Sequence, residues 1–508
     1  MLLAVLVGIV GSGWILADRL MPAAVGAPST TLPLADAQTA IDREVLPLVE
    51  HHAGATGVVL LPEGLDAFAA RVMATRQAGR SLDVMYYIWH DDITGRLLAR
   101  ELWQAAERGV RVRLLLDDLN AVDKDVKWLA LDSHRNIEIR LYNPFRNRSG
   151  LRRVLELLQR VLSMNHRMHN KAWIADGRAA IVGGRNIGVE YFDASEQANF
   201  RDLDALVFGP ATADASAVFD GFWNSEAVVP VAALRRKPQA RIDEFLGEAA
   251  RELDSAPARS YMQRVAQRRS LHDYASGQLR PHWTHAARIV SDPPVKRERE
   301  AHTDWLVDLI AAQLRATQRQ ALVISPYFVP GQGLTDEMVQ AARAGKQVGV
   351  ITNSLAANDV IAVHGGYARY RVPLLEGGVQ LHELRARPTG TSASAFGSSG
   401  ASLHTKAYVI DGRHGFIGSF NLDPRSAFLN TEMGLMFDDA GIAAELAGQY
   451  ALLSRPESSY WLYLEDGALR WLDRTQQPPR IWTHEPEASR GRRLAATAIG
   501  QLPLESQL

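Results

Sequence analysis

One stretch of this chain occurs twice, and a duplicated unit constrains the fold more than any single motif does. His169 to Asn186 reads H-N-K-A-W-I-A-D-G-R-A-A-I-V-G-G-R-N, and His404 to Asn421 reads H-T-K-A-Y-V-I-D-G-R-H-G-F-I-G-S-F-N. With no gap, His169, Lys171, Asp176, Gly183 and Asn186 fall on His404, Lys406, Asp411, Gly418 and Asn421, 235 positions further on. Such a chain is expected to form two similar halves. One site at their junction then takes a His, a Lys and an Asn from each.

The local form of each copy is readable. Residues two apart share one face of a strand, so His169 and Lys171 are expected to point the same way, as are His404 and Lys406. The apolar runs Ala172 to Ala175 and Ala407 to Ile410 read as strand ends. Asp176-Gly177 and Asp411-Gly412 are tight-turn dipeptides, which makes each copy a β-hairpin. The returning strand delivers Gly183-Gly184, or Gly418-Ser419, and then Asn186 or Asn421 to the same end. Small residues there let a ligand approach the backbone closely.

The residue types point to phosphate chemistry. Lys and Asn are donors suited to phosphate oxygens. One imidazole can act as nucleophile while a second acts as acid and then base, since histidine titrates at about 6.5 when unperturbed.

These residues carry a resemblance. H-x-K-x4-D followed by G-[GS]-x-N resembles the signature of the phospholipase D superfamily, and both copies match at the catalytic positions. Within it the chain looks most like the bacterial cardiolipin synthases, the C-type branch in particular. The carriers are P-E-G-L-D-A-F at Pro62 to Phe68, Y-Y-I-W-H-D-D at Tyr86 to Asp92, M-H-N-K at Met168 to Lys171, V-G-G-R-N-I-G at Val182 to Gly188 and F-R-D-L-D at Phe200 to Asp204. The likeness runs from residue 58 or so to the C-terminus.

The resemblance implies an α/β fold of two similar phospholipase D-like domains. Each has a mostly parallel or mixed sheet flanked by helices, and the two are related by pseudo-two-fold symmetry around one shared active site. It implies a ping-pong reaction with neither metal nor cofactor. His169 is assigned as nucleophile and His404 as acid and base, an assignment the near-identity of the copies allows to be exchanged. Lys171, Lys406, Asn186 and Asn421 would hold the non-bridging oxygens, beside Gly183, Gly184, Gly418 and Ser419. Asp202 or Asp204, and Glu432, are candidates to bond the histidines at Nδ1. Asp176 and Asp411 belong to the catalytic motif, although their turn position argues for a structural role.

Composition narrows the partners. The chain of 508 residues has a formal charge of −1 and no cysteine. Near-neutrality disfavours nucleic acid, and the missing cysteines exclude disulfides and thiolate metal sites. No H-E-x-x-H pattern offers a metal site either.

Along the chain, Leu2 to Ala17 carries no charge and reads as a membrane anchor or a signal segment. Ala27 to Leu34 reads as a linker. Strands then alternate with helices, as in a sheet covered on both faces. The expected layout is an N-terminal anchor or signal over 1–27, a linker and helix over 28–57, and a first phospholipase D-like domain over 58–233. A helical connection over 234–300, a second such domain over 301–455 and a tail over 456–508 complete it. Residues 140 to 171 bring Arg140, Arg146, Arg148, Arg152, Arg153, Arg160, Arg167 and Lys171 against one acid, Glu156. That stretch reads either as a basic amphipathic helix on an anionic bilayer or as a core helix with solvated arginines. His364 borders the pocket or lies on the surface. Trp461, Trp471 and Trp482 are core or membrane belt, and Arg490 to Leu504 is a second interfacial candidate.

The acceptor decides the activity. With the glycerol hydroxyl of phosphatidylglycerol the product is cardiolipin, phosphatidylethanolamine being a possible second substrate. With water the enzyme is a phospholipase D, and with a nucleic-acid backbone it is a nuclease. A non-enzymatic scaffold is expected to have lost a motif, and neither is lost. The apolar N-terminus and the basic amphipathic stretch favour lipid, and the resemblance implies a location at the bacterial inner membrane, anchored or peripheral. A protein partner is not specified.

Overall fold

The computed structural model describes residues 26–502, apart from 35–37, 122–124, 145–165, 197, 235–246, 248–249, 252, 270–278, 297–304 and 387–399, together with residue 505. In the first half, β1 (Thr56–Leu61) and the helix Gly64–Gln77 precede β2 (Ser81–Tyr86). The helix Ile93–Glu107 leads to β3 (Arg111–Asp117), and β4 (Ile137–Tyr142) follows. These last three strands are parallel. β3 is buried along nearly its whole length, as a strand covered on both faces must be. The first motif forms the hairpin β5 (Ala172–Ala175) and β6 (Ala179–Gly183), which adds antiparallel to β2. β7 (Ala198–Arg201) stands outside this sheet. β8 (Asp204–Phe208), β9 (Val228–Pro230) and β10 (His282–Thr284) complete nine strands in the order β10-β1-β8-β6-β5-β2-β3-β4-β9.

The second half repeats the plan. After β11 (Ala287–Ser291) come the parallel strands β12 (Gln320–Ile324), β13 (Gln347–Asn353) and β14 (Gln380–Leu384). β15 (Gly400–Leu403) precedes the second motif, whose hairpin is β16 (Lys406–Ile410) and β17 (His414–Gly418). This hairpin lies antiparallel to β12, as the first does to β2. β18 (Met433–Asp438), β19 (Ser459–Glu465), β20 (Ala468–Asp473) and β21 (Arg480–Trp482) extend the sheet to β11-β18-β17-β16-β12-β13-β14-β19-β20-β21.

Both motif turns have positive φ at their two central residues, 54° and 66° at Asp176 and Gly177, 55° and 68° at Asp411 and Gly412. Gly takes this conformation freely and Asp tolerates it, which is why the dipeptide recurs. The halves share one apolar core. Ile174, Val182 and Val207 of the first sheet pack with Ile324, Ile417 and Leu435 of the second. The backbones also join directly. β7 pairs in parallel with β15, and Met168 bridges Thr431.

Several expectations change. Within 234–300, where helices were expected, the described residues include the helix Ala256–Ala266 and two strands. β10 closes the first sheet on β1 and β11 opens the second on β18, so the chain crosses between the sheets at residues 284–287. The expected linker is docked. Ala27 O accepts from Arg140 on β4 at 2.6 Å, Ser29 O from Arg113 on β3 at 2.9 Å, and Thr30 O from Arg111 at 2.8 Å. Leu34 then lies beside the Gly177 turn. The tail is not separate, because β19 pairs with β14 and Trp471 is buried, while Trp461 is more than a third exposed. Of the basic stretch, Arg140, Arg167 and Lys171 are buried, and Arg146, Arg148, Arg152, Arg153 and Arg160 lie outside the described residues, as does Leu2 to Ala17. His364 is neither surface nor pocket rim. It is buried with its Nε2 3.2 Å from Glu485. Among the described residues no helix is long and apolar enough to cross a membrane.

Candidate active site

The histidines sit just ahead of the hairpins, each held by backbone from the opposite half. His169 N donates to Thr431 O at 2.9 Å, and His404 N donates to Arg201 O at 2.7 Å. Lys406 opens its strand, whereas Lys171 lies one residue before its own. Each lysine Nζ donates to the carbonyl of its own histidine, at 2.5 Å for Lys171 and 2.6 Å for Lys406. An ammonium has three protons, so two remain on each for a ligand.

The carboxylates cross the junction as well. His169 Nδ1 is 2.8 Å from Glu432 Oε2 and 3.1 Å from the carbonyl oxygen of Ser419. His404 Nδ1 is 2.6 Å from Asp202 Oδ2. A carboxylate or carbonyl oxygen only accepts, so Nδ1 carries a proton in both rings, and Nε2 is left to act as the lone pair of a nucleophile or, when protonated, as an acid. Glu432 is fixed in turn by Ser419 Oγ at 2.5 Å and Ser426 Oγ at 2.8 Å. Tyr87 meets His169 edge-on, while Tyr191 meets His404 edge-on and Phe200 stacks on it.

Burial sets the protonation. The His169 imidazole is held well below its ordinary value by burial and then by the charges of Lys171 and Lys406. His404 is lowered by burial and Lys406, against the pull of Asp202. Burial brings Lys171 down to about 7 and Lys406 to about 8. For Asp202 burial works upward, but His404, Lys406 and Arg185 together leave its carboxyl below the ordinary range. Burial raises Glu432 to about 6, opposed by Lys171 and the two serine hydroxyls. The two acids therefore differ. Asp202 stays ionised across the neutral range, and Glu432 titrates just beneath it.

Other candidates lie elsewhere. Asp204 faces Arg71 at 2.9 Å and Arg185 at 3.6 Å rather than a histidine. Asp176 and Asp411 sit at the far turns. Asp176 Oδ1 accepts from Arg80 N at 2.7 Å and Ser81 N at 2.9 Å, and Asp411 Oδ1 accepts from Arg319 N at 2.7 Å and Gln320 N at 2.9 Å. They clamp the hairpins to the starts of β2 and β12. The glycines make room for protein, not ligand. A Cβ on Gly183 would meet Asp204 Oδ1 at 2.2 Å, one on Gly184 would meet Asp202 Oδ1 at 2.2 Å, and one on Gly418 would meet Met433 O at 2.4 Å. Ser419 likewise serves Glu432. The asparagines are unequal. Asn186 Oδ1 accepts from Ile88 N and its amide donates to Tyr191 Oη at 3.0 Å, whereas Asn421 Oδ1 is buried with no partner among the described residues.

The motif spacing alone did not reveal Tyr87, Tyr191, Phe200 or Arg185, although Tyr87, Phe200 and Arg185 lie inside segments that carry the resemblance. Arg185 is fully buried and bonds the carbonyls of Leu61, Tyr191 and Asp202, pinning the loop that bears the acid. Among the described residues one cluster has metal-ligand spacing, His90, Asp92 and Glu190. Asp92 already accepts from Gly95 N and Val189 N, and His90 faces Glu190 at 3.2 Å.

Comparison with known proteins finds the same two-part organisation. The family described as "Cardiolipin synthase, PLD-like domain" matches residues 73–223 and 310–452, one block in each half. "Cardiolipin synthase C" of Escherichia coli (strain K12) is 39% identical over 469 residues, covering 91% of this chain and 98% of that one. "Cardiolipin synthase B" of Salmonella typhi is 27% identical over 75% of this chain and 76% of that one. A solved phosphatidylserine synthase of Haemophilus influenzae Rd KW20 superposes with a TM-score of 0.55 at 14% identity, over 90% of this chain and 96% of that one, which shows a shared fold. The family match over both halves and the 39% relative show it: the chain belongs to the cardiolipin synthase family of phospholipase D-like proteins.

Proposed function

We propose that this protein is a phosphatidyltransferase that makes cardiolipin from phosphatidylglycerol and a second phospholipid, phosphatidylglycerol or phosphatidylethanolamine. The working unit is the pair of halves over 58–233 and 301–455, at the inner membrane of a bacterial cell. One observation carries the reading: two buried histidines, each with an acid from the opposite half, and two lysines whose charges act on both rings.

His169 Nε2 attacks the phosphorus of the donor, and a nitrogen–phosphorus bond forms as the bond to the head-group oxygen breaks. His404, protonated on Nε2, gives that proton to the departing alkoxide. The neutral His404 then takes a proton from the acceptor hydroxyl. Its oxygen bonds phosphorus and His169 leaves, which restores both rings. Lys171 and Lys406 hold the non-bridging oxygens as charge develops, with Asn421 beside them and Asn186 supporting Tyr191. Asp202 stabilises the imidazolium of His404, and Glu432 fixes the tautomer of His169. The route uses no metal and no cofactor.

The test is purified full-length protein with labelled phosphatidylglycerol in vesicles, followed by lipid separation. Labelled cardiolipin with release of glycerol is the expected outcome. Phosphatidic acid as the sole product would make the enzyme a hydrolase, and unchanged lipid would overturn the reading.

A further inference from the structure

The loops around the histidines expose large apolar side chains. Leu119, Val360, Phe428 and Leu494 are 43%, 39%, 44% and 72% exposed. A single exposed leucine needs no explanation. These four come from four separate segments, and three follow groups that touch the catalytic machinery. Leu119 N donates to Asp117, whose other oxygen accepts from Met168 N, next to His169. Val360 follows Asp359, which accepts from Tyr327 Oη at 2.8 Å and whose charge acts on Lys406. Phe428 ends the helix Pro424–Phe428, which contains the Ser426 that bonds Glu432.

Leu494 belongs to the helix Arg490–Gly500, which is placed against the same loops. Arg492 Nε donates to Leu355 O at 2.8 Å, and its guanidinium also bonds Asn358 O, two residues before Val360. Close packing holds this helix, because a Cβ on Gly365 would meet Ala496 O at 2.8 Å. Its outward stripe is Arg490, Leu494 and Ala498, a cation next to apolar groups.

The N-terminal segment adds an independent direction. Ala27 bonds Arg140, which is in register with Leu115, while Ser29 and Thr30 bond Arg113 and Arg111 of the same strand, and Leu34 reaches the Gly177 turn. The segment therefore descends away from the histidines, and Gly26 lies at its upper end, on the side where the strand β3 delivers Asp117 to the motif.

We propose that this histidine-bearing end rests on a bilayer surface containing anionic phospholipid, with Leu119, Val360, Phe428 and Leu494 entering the interface and Arg490 facing the head groups. The proposal rests on the lipid-substrate reading. A lipid phosphate then reaches His169 while its acyl chains stay in the bilayer, which avoids exposing them to water.

The chain has no cysteine, so single labels are clean. Full-length Leu119→Cys, Val360→Cys, Phe428→Cys and Leu494→Cys, with Leu48→Cys as control, carry an environment-sensitive fluorophore. They are mixed with phosphatidylglycerol–phosphatidylethanolamine vesicles containing nitroxide-labelled lipid. Quenching at the four rim positions and not at Leu48 is expected. Equal quenching at all five, or none at the rim, overturns the proposal, as does shielding that appears only when another protein is added. In a second arm, Val360→Glu with Leu494→Glu lowers turnover of vesicle phosphatidylglycerol by about tenfold or more, and turnover of dihexanoyl phosphatidylglycerol monomers changes by less than about twofold. Equal losses on both overturn the rim's role. Wild-type protein that turns over neither substrate refutes the transferase reading instead, and the quenching pattern still decides the docking.

Discussion

His169 Nδ1 lies 2.8 Å from Glu432, a residue 263 positions away in the opposite half. His404 stands in the same relation to Asp202 at 2.6 Å across 202 positions. Each half supplies the imidazole of one pair and the carboxylate of the other, so neither half contains a working unit.

His169→Ala and His404→Ala are each expected to remove nearly all turnover, by about 10²-fold to 10⁴-fold or more, because each ring has its own chemical step. Initial rates on labelled phospholipid vesicles check this. A variant that keeps most of the rate refutes the shared site.

Asp202→Asn and Asp204→Asn should separate cleanly. The first removes the charge beside His404 and is expected to cut kcat by about 10²-fold to 10⁴-fold with the fold intact. The second leaves Arg71 buried without its carboxylate and is expected to cost about 3–5 kcal/mol of stability. Urea unfolding beside kinetics distinguishes them.

The rate is expected to fall as pH drops through about 6, where Glu432 takes a proton. The fold does not fail there. The folded protein holds this proton more tightly than the unfolded chain, so the group's stability contribution is full below its ordinary 4.5 and is lost as pH rises through about 6. Glu432→Gln should be slower and lack this acid limb. A pH–rate profile with circular dichroism at each pH provides the check.

Asp176→Asn should lower stability by about 1–3 kcal/mol while kcat changes little, because its carboxylate serves backbone N–H groups at a buried turn. A kcat loss larger than the loss of folded protein would return Asp176 to the chemistry.

Turnover is expected to survive EDTA, since the groups that meet the phosphate are imidazole, ammonium and amide. Loss with EDTA and recovery with Mg²⁺ or Zn²⁺ would count against a phosphohistidine route.

The hairpins, their turns and the alternation of strands and helices were legible in the sequence because period and turn chemistry are local. So were His169, Lys171, His404 and Lys406, which a repeat exposes directly. The crossing of the acids was not, since Asp202 and Asp204 are two residues apart and only the packing of Arg71 and Arg185 sends one to a histidine and the other to a guanidinium. Gly183 and Gly184 read as ligand space, but Asp204 and Asp202 occupy it. The strands β10 and β11 were missed because three-residue and five-residue strands in an Arg-rich and Glu-rich stretch have too little period to detect.

The crossed pairs also set a timetable. During synthesis the first half leaves the ribosome carrying His169 and Lys171, yet Thr431 and Glu432, which hold and orient that histidine, are still to be made. A chain that ends before His404 has neither pair and is therefore expected to be inactive. The site is completed when the second half docks, which brings Glu432 to His169 and His404 to Asp202.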